Sequence, residues 1–232
     1  MPNIRQKLTF SKTFQLVLTE NTYFFVCFLI YLLFGAIGIL SLSHGDLLVY
    51  FSDHRTAFGN TFFSNATKLG EELSYLFFVV FFLFVRFRYA LLVPLTGLVV
   101  TIISFLTKSF FQQPRPSIYY QELGTLGELN LVEGVKMVKG LTSFPSGHTM
   151  SAFALFTLVA LLVKRKKGVA ILLFLIAVSV GLSRIYLMQH FLRDVYLGSI
   201  LGVGISVLLY WWQLSYDYDP AKWYDQKLSF PK

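Results

Sequence analysis

Lys108 and Arg115 stand seven positions apart in LTKSFFQQPRPS. Ser146, Gly147 and His148 follow in FPSGHTM, and Arg184, His190 and Asp194 close the set in LSRIYLMQHFLRD. Taken together, these residue types suit a phosphate. Lys108, Arg115 and Arg184 supply three cations, and an arginine can grip anionic oxygens through paired N–H groups. Pro-Ser-Gly-His reads as the start of a helix. Ser146 is its cap, Gly147 lets the backbone approach a ligand, and the free N–H groups of the first turn face the anion. His190 and Asp194 are four apart, so on a helix they share a face and the carboxylate orients the imidazole. His148 is placed to protonate a leaving oxygen. A nucleophile, an acid and an oxyanion cradle together describe phosphoryl transfer by covalent catalysis.

The elements that must position these groups are written in the composition. The 232 residues are 55% hydrophobic, 18% aromatic and only 14% charged, whereas a soluble domain carries about a quarter charged residues. The apolar residues form long runs nearly free of charge, as membrane-spanning helices do. Six spans are expected: Tyr23 to Leu42, Leu73 to Val85 extended back toward Ala66, Tyr89 to Thr107 with Pro94 inside, His148 to Val163, Val169 to Tyr186, and Val195 to Trp212. The first lies far from Met1 and lacks a convincing cleavage site, so it reads as a retained span.

Basic residues set the orientation. Arg5, Lys7 and Lys12 precede the first span, Arg86 and Arg88 separate the second and third, and Lys164, Arg165, Lys166 and Lys167 separate the fourth and fifth; Lys222, Lys227 and Lys232 follow the sixth. All fall on one side, which the positive-inside rule makes cytoplasmic, with both termini there. Three segments remain outside: 43–70, expected to lie along the interface as an amphipathic helix, the 108–145 loop, and the 183–194 turn. That outer side is where all eight candidate residues fall. The expected fold class is therefore all-α: a six-transmembrane-helix bundle with an interfacial helical segment and an outer loop, forming one domain over 1–232.

The pattern Lys-(six residues)-Arg-Pro, Pro-Ser-Gly-His and Ser-Arg-(five residues)-His-(three residues)-Asp resembles the three-part signature of the type 2 phosphatidic acid phosphatase superfamily. That group includes lipid phosphate phosphatases, bacterial undecaprenyl-pyrophosphate, phosphatidylglycerophosphate and lipid A phosphatases, and the soluble vanadium haloperoxidases. The resemblance runs from Lys108 to Asp194 with no departure at a motif position. It implies that His190 is the nucleophile and becomes phosphorylated, that Asp194 holds it, and that His148 is the general acid and then activates water. Lys108, Arg115, Ser146, Gly147 and Arg184 would bind the phosphoryl oxygens. It further implies no metal and no cofactor, a lipid phosphate or pyrophosphate as substrate, and a multi-pass cell (inner) membrane protein whose site faces the periplasm or exterior.

Other readings fit less well. The net charge of +8 flanks the apolar runs and forms no basic stripe interleaved with stacking aromatics, which argues against nucleic acid as a partner. No obligate protein partner is evident, and the partners expected are the lipid substrate and membrane lipids. A haloperoxidase would share the anion pocket but not six apolar spans. A lipid transporter or scaffold would carry its charges along a midplane route instead of at one surface. Phosphotransfer to an acceptor other than water shares the same intermediate and stays open. Cys27 has no internal disulfide partner. His44, Asp46, Asp53 and His54 have no ligand-like spacing and read as surface polar residues. Glu71 and Glu72 fit a helix start at the interface as well as a border to the site, and Arg193 fits a surface position better than a phosphate contact. The 117–144 loop has no assigned role.

Overall fold

The computed structural model describes residues 21–163 and 167–229, together with Val17 and Thr19. Arg5, Lys7, Lys12, Lys164, Arg165, Lys166 and Lys232 lie outside the described residues. Among the described residues the chain is all-α, with no strand. Helix α1 spans Thr22–Ser41, α2 Asp46–Asp53, α3 Ala57–Ala66, α4 Glu72–Leu83, α5 Phe87–Phe111, α6 Pro116–Glu122, α7 Gly147–Leu162, α8 Lys167–Tyr186 and α9 Leu192–Leu214. Among the described residues, four stretches are long and apolar enough to cross a bilayer: α1, α8, α9 and the Phe87–Glu122 stretch that contains α5.

The core is built around α7. All of its residues except Gly147, His148 and Ser151 are buried, as expected of a helix that is apolar on every side. Helices α5, α8 and α9 pack around it. The approach of α9 is set by glycine: a Cβ on Gly198 would lie 2.7 Å from the Ser146 carbonyl oxygen. Only a small residue lets two backbones come so near. The outward faces stay apolar, with Leu40 86%, Phe110 80%, Phe105 69% and Phe34 67% exposed. Surfaces of that kind suit lipid contact.

One expected span is shorter than its apolar run suggests: helix α4 has 12 residues, whereas α7 keeps the expected 16, shifted by one position. The second span does not continue back to Ala66 as one helix. A 3₁₀ turn occupies Thr67–Gly70, and Glu71 is extended before α4 begins. The reason is contact with α7: a Cβ on Gly70 would stand 3.0 Å from the His148 carbonyl oxygen, and Ser151 Oγ donates to the Gly70 carbonyl at 2.8 Å. Likewise, the expected single amphipathic helix in 43–70 is two helices, α2 and α3, broken at His54–Thr56. Both pack on α8.

At the far end of α5 the chain after α9 folds back. Leu228 N–H donates to the Leu83 carbonyl at 2.8 Å, and the buried Asp225 accepts from Arg88 at 2.7 Å with Arg86 at 3.8 Å. These two arginines therefore have a carboxylate partner in addition to their place between α4 and α5. A 25-residue helix is about 37 Å long, and that length separates them from Lys108 near its other end.

Candidate active site

The C-terminal end of α5, the N-termini of α7 and α9, and the C-terminal end of α8 meet at one end of the bundle. Three local features bring them together. Ser146 caps α7, its hydroxyl accepting from Thr149 N–H at 3.4 Å. The Ser146 N–H in turn donates to the Asp194 carbonyl oxygen at 3.0 Å, which ties the starts of α7 and α9 directly. The short link from α8 to α9 turns sharply because Met188 adopts φ 58°, a conformation uncommon outside glycine. That turn sends both Gln189 N–H and His190 N–H back to the Arg184 carbonyl.

His190 and Asp194 form the buried centre, 1% and 0% exposed. His190 Nδ1 lies 3.3 Å from Asp194 Oδ2, and the same oxygen accepts the Phe191 N–H at 3.1 Å and the Ser143 hydroxyl at 2.5 Å. A carboxylate offers only acceptors, so the imidazole hydrogen sits on Nδ1 and the lone pair on Nε2. Burial pushes His190 below its ordinary value, to about 4, although Asp194 opposes the fall. The imidazole is thus neutral at pH 7, the form in which Nε2 can attack phosphorus.

The cations surround this centre. Arg115 is buried, with Nε on Thr142 Oγ1 at 3.1 Å and one terminal nitrogen on the Gln189 carbonyl at 3.2 Å. Arg184 donates to Thr67 Oγ1 at 2.6 Å, and its buried Nε has no hydrogen-bond partner among the described residues. Lys108 reaches the start of α7: a Cβ on Gly147 would be 3.3 Å from Nζ. It also lies within electrostatic reach of Arg115, Arg184 and Asp194, and His148 within reach of all three cations and His190. The structure therefore brings all eight sequence-selected residues to one end of the bundle.

It also adds residues that the sequence reading left out. The 117–144 loop carries Ser143 onto Asp194 and Thr142 onto Arg115, while Gln189 fastens that loop at Lys136 and Val138. The loop's first helix, α6, is held by Tyr119 and Tyr120, which donate to the carbonyls of His44 and Gly45. Glu71, which the sequence offers as a helix start or as a border to the site, lines the cavity and places its carboxylate 3.5 Å from His148 Nε2. His44 is exposed as expected but is not a free polar residue: its ring lies 3.9 Å from that of Phe191, and partial cover of the ring, then Arg193, lower its basicity. Asp46, Asp53 and His54 are exposed. Arg193 binds Gln113 at 3.1 Å, with Nε 3.7 Å from Asp194.

A cavity of about 800 Å³ opens beside Lys108, Gly147 and His148 and runs between α4 and α5. Pro94, Gly97, Thr101, Ser104 and Phe105 line it on α5, with Glu71, Glu72 and Tyr75 opposite. From Pro94 to Lys108 the α5 wall extends for about 21 Å. The nearly sealed His190 is not part of this lining.

Fold and site thus define an all-helical bundle with apolar outer faces, which gathers three cations, two histidines and a carboxylate at one end. The chain belongs to the PAP2 superfamily, whose model matches residues 87–217, more than half of the chain. It is 43% identical over 75 residues to phosphatidylglycerophosphatase B of Bacillus subtilis, covering 29% of this chain and 37% of that protein. Over 104 residues it is 33% identical to probable lipid phosphate phosphatase 4 of Arabidopsis thaliana, covering 39% and 34%. The matched stretches thus span about a third of each of these two relatives. Among solved structures, LpxE of Aquifex aeolicus superposes with a TM-score of 0.61 at 27% identity, over 72% of this chain and 94% of that one. A transmembrane PAP2-type phosphatidylglycerolphosphate phosphatase from Bacillus subtilis superposes at 0.60 and 24% identity, over 85% and 98%, and shares the fold.

Proposed function

We propose that this protein is a membrane phosphatase that removes phosphate from a lipid phosphate or pyrophosphate through a phosphohistidine intermediate, without a metal. One observation carries the reading: a buried, carboxylate-held His190 lies within electrostatic reach of Arg115 and Arg184, and Lys108 lies within reach of both arginines and of Asp194. In the first step His190 Nε2 forms a bond to phosphorus, the bond from phosphorus to the lipid oxygen breaks, and His148 gives that oxygen a proton. In the second step water attacks phosphorus, the P–N bond breaks, and His148 takes the proton from water. Three cations and the first turn of α7 neutralise the charge on the equatorial oxygens, the task a metal performs elsewhere.

The groove between α4 and α5 supports a lipid substrate. It leads from Lys108 and His148 along an α5 face whose neighbours are lipid-exposed, so a headgroup can reach the site while its chain stays in the bilayer. In this reading 1–232 is one domain with six crossings, and both termini share the basic, cytoplasmic side with Arg86 and Arg88. The site opens on the extracytoplasmic face of a cell (inner) membrane. Helix α7 needs no full bilayer length of lipid-facing surface because its neighbours enclose it. No obligate protein partner enters the chemistry.

The test is phosphate release by the purified protein in detergent from undecaprenyl pyrophosphate, phosphatidylglycerophosphate, phosphatidic acid and lipid A, with a chelator present. Release from at least one, inhibition by vanadate and loss of release in His190→Ala are expected. Activity abolished by the chelator, or retained in His190→Ala, would overturn the mechanism.

A further inference from the structure

We infer that Glu71 is a positioning residue for His148: its carboxylate holds the imidazole in the protonated, correctly turned state that the leaving oxygen needs. The inference rests on the phosphatase reading and extends the site beyond its three-part signature, since Glu71 lies upstream both of Lys108 and of the matched stretch that begins at residue 87.

The local structure is built around this contact. The 3₁₀ turn Thr67–Gly70 ends, Glu71 takes an extended conformation, and α4 starts one residue later. Gly70 is the hinge of the arrangement. Its carbonyl accepts the Ser151 hydroxyl, and its Cα is so close to α7 that a side chain would press on the His148 carbonyl and on Val180. The same turn sends Thr67 Oγ1 to Arg184 at 2.6 Å. Segment 67–71 is thereby fixed to α7 and to α8 at the two residues beside the pocket, and Glu71 Oε1 comes to 3.5 Å from His148 Nε2.

Charge explains why a carboxylate belongs there. Lys108 faces His148 from α5, Arg115 from the start of α6, Arg184 from α8 and His190 from the turn before α9. Glu71 and its neighbour Glu72 face it from the start of α4, and both line the same cavity. An imidazolium at His148 adds a further positive charge to a group of three, and like charges resist that. Glu71 is the carboxylate in contact with His148 that offsets them.

The consequence has a definite sign. Burial first, and then the surrounding cations, push His148 below its ordinary value, so the imidazolium that the first step requires depends on opposing negative charge, from a bound phosphate and from Glu71, and activity falls on the alkaline side as that proton is lost. Removing the carboxylate makes the proton easier to lose and moves the alkaline limb to lower pH, by about one pH unit. The experiment measures phosphate release from one lipid phosphate by the full chain in detergent between pH 5 and about 9, for the wild type, Glu71→Gln and Glu71→Asp. The Gln variant is expected to lose about tenfold in kcat near pH 8 and much less near pH 6, with the alkaline limb shifted down. The Asp variant is expected to restore most of the limb. An alkaline limb unmoved in Glu71→Gln overturns the inference, as does a uniform loss at every pH. Should the Gln variant not purify as a monodisperse protein, Glu71→Ala is read by the same criterion. A wild type with no phosphate release, or an active His190→Ala, would instead sink the underlying phosphatase reading.

Discussion

Ser143 donates its hydroxyl hydrogen to Oδ2 of Asp194 across 2.5 Å, from a loop 51 positions earlier in the chain. Asp194 Oδ2 thus accepts from Ser143, from the Phe191 N–H and from His190. Its orientation, and through it that of His190, depends on all three. Ser143→Ala removes one donor from a buried, charged acceptor, an interaction worth about 1.5–3 kcal/mol. The expected result is a fall in kcat of about 10- to 100-fold, with KM little changed because Ser143 does not reach the cavity. Steady-state kinetics on a lipid phosphate decides it; a change confined to KM would mean that Ser143 acts on binding.

The pH dependence on the acid side follows from burial. A histidine in water gains its proton near pH 6.5, whereas His190 is pushed down to about 4. In the proposed mechanism the attacking form is the neutral one, so it stays populated as pH falls through 6.5 and is lost only as pH approaches the lowered value. The acid limb of kcat for phosphate release is therefore expected well below pH 6.5. A limb centred at 6.5 or above would show that the nucleophile is solvated or that Asp194 dominates over desolvation.

Much of this site was legible in sequence because its members sit at helix ends, and helix ends are marked by residue type. Pro-Ser-Gly-His announces the start of α7, and the four-residue spacing of His190 and Asp194 suggests a pair on one helix face. The structure keeps the pair but places His190 just before α9, with Asp194 reaching back to the N-cap. Convergence was legible too, since alternating basic loops sort helix ends by side. What stayed hidden depends on tertiary contact. Ser143 looks like an ordinary loop serine, and the role of 117–144 appears only when Gln189 pins it over Asp194. The break at Gly70 is invisible to hydropathy because its cause is the proximity of α7. That break leaves α4 only 12 residues long and carries Glu71 to His148.

The α7–α9 contact is a test of packing. A methyl group on Gly198 would lie 2.7 Å from the Ser146 carbonyl oxygen and 3.4 Å from Met150 N, both backbone atoms that cannot rotate away. Gly198→Ala must then push α9 from the start of α7, stretching the bond from Ser146 N–H to Asp194. A destabilisation of about 1–3 kcal/mol is expected for overpacking of this kind, together with reduced kcat. Gly204→Ala is the control, since a Cβ there meets no atom within 4 Å. Thermal unfolding in detergent should separate the two variants; equal melting temperatures would show that α9 can shift without cost.

The groove between α4 and α5 makes the remaining claim, that the lipid chain lies along α5. Thr101 lines this groove and is exposed to it, between Gly97 and Phe105 and two turns from Lys108. It touches none of the residues assigned to chemistry, so Thr101→Trp should fill the groove while leaving the anion pocket intact. If the hydrocarbon chain binds there, KM for a long-chain lipid phosphate rises by about tenfold, a loss of about 1.4 kcal/mol of binding. Turnover at saturation should be nearly unchanged, the signature of binding shared equally by ground and transition states. A short-chain phosphate that does not reach Thr101 should lose nothing. Comparing the two substrates in the same micelles removes any general effect on folding or solubilisation, because both depend on the same protein. Equal losses for long and short chains would place the lipid elsewhere, and an unchanged KM for the long chain would mean that the groove is not its path.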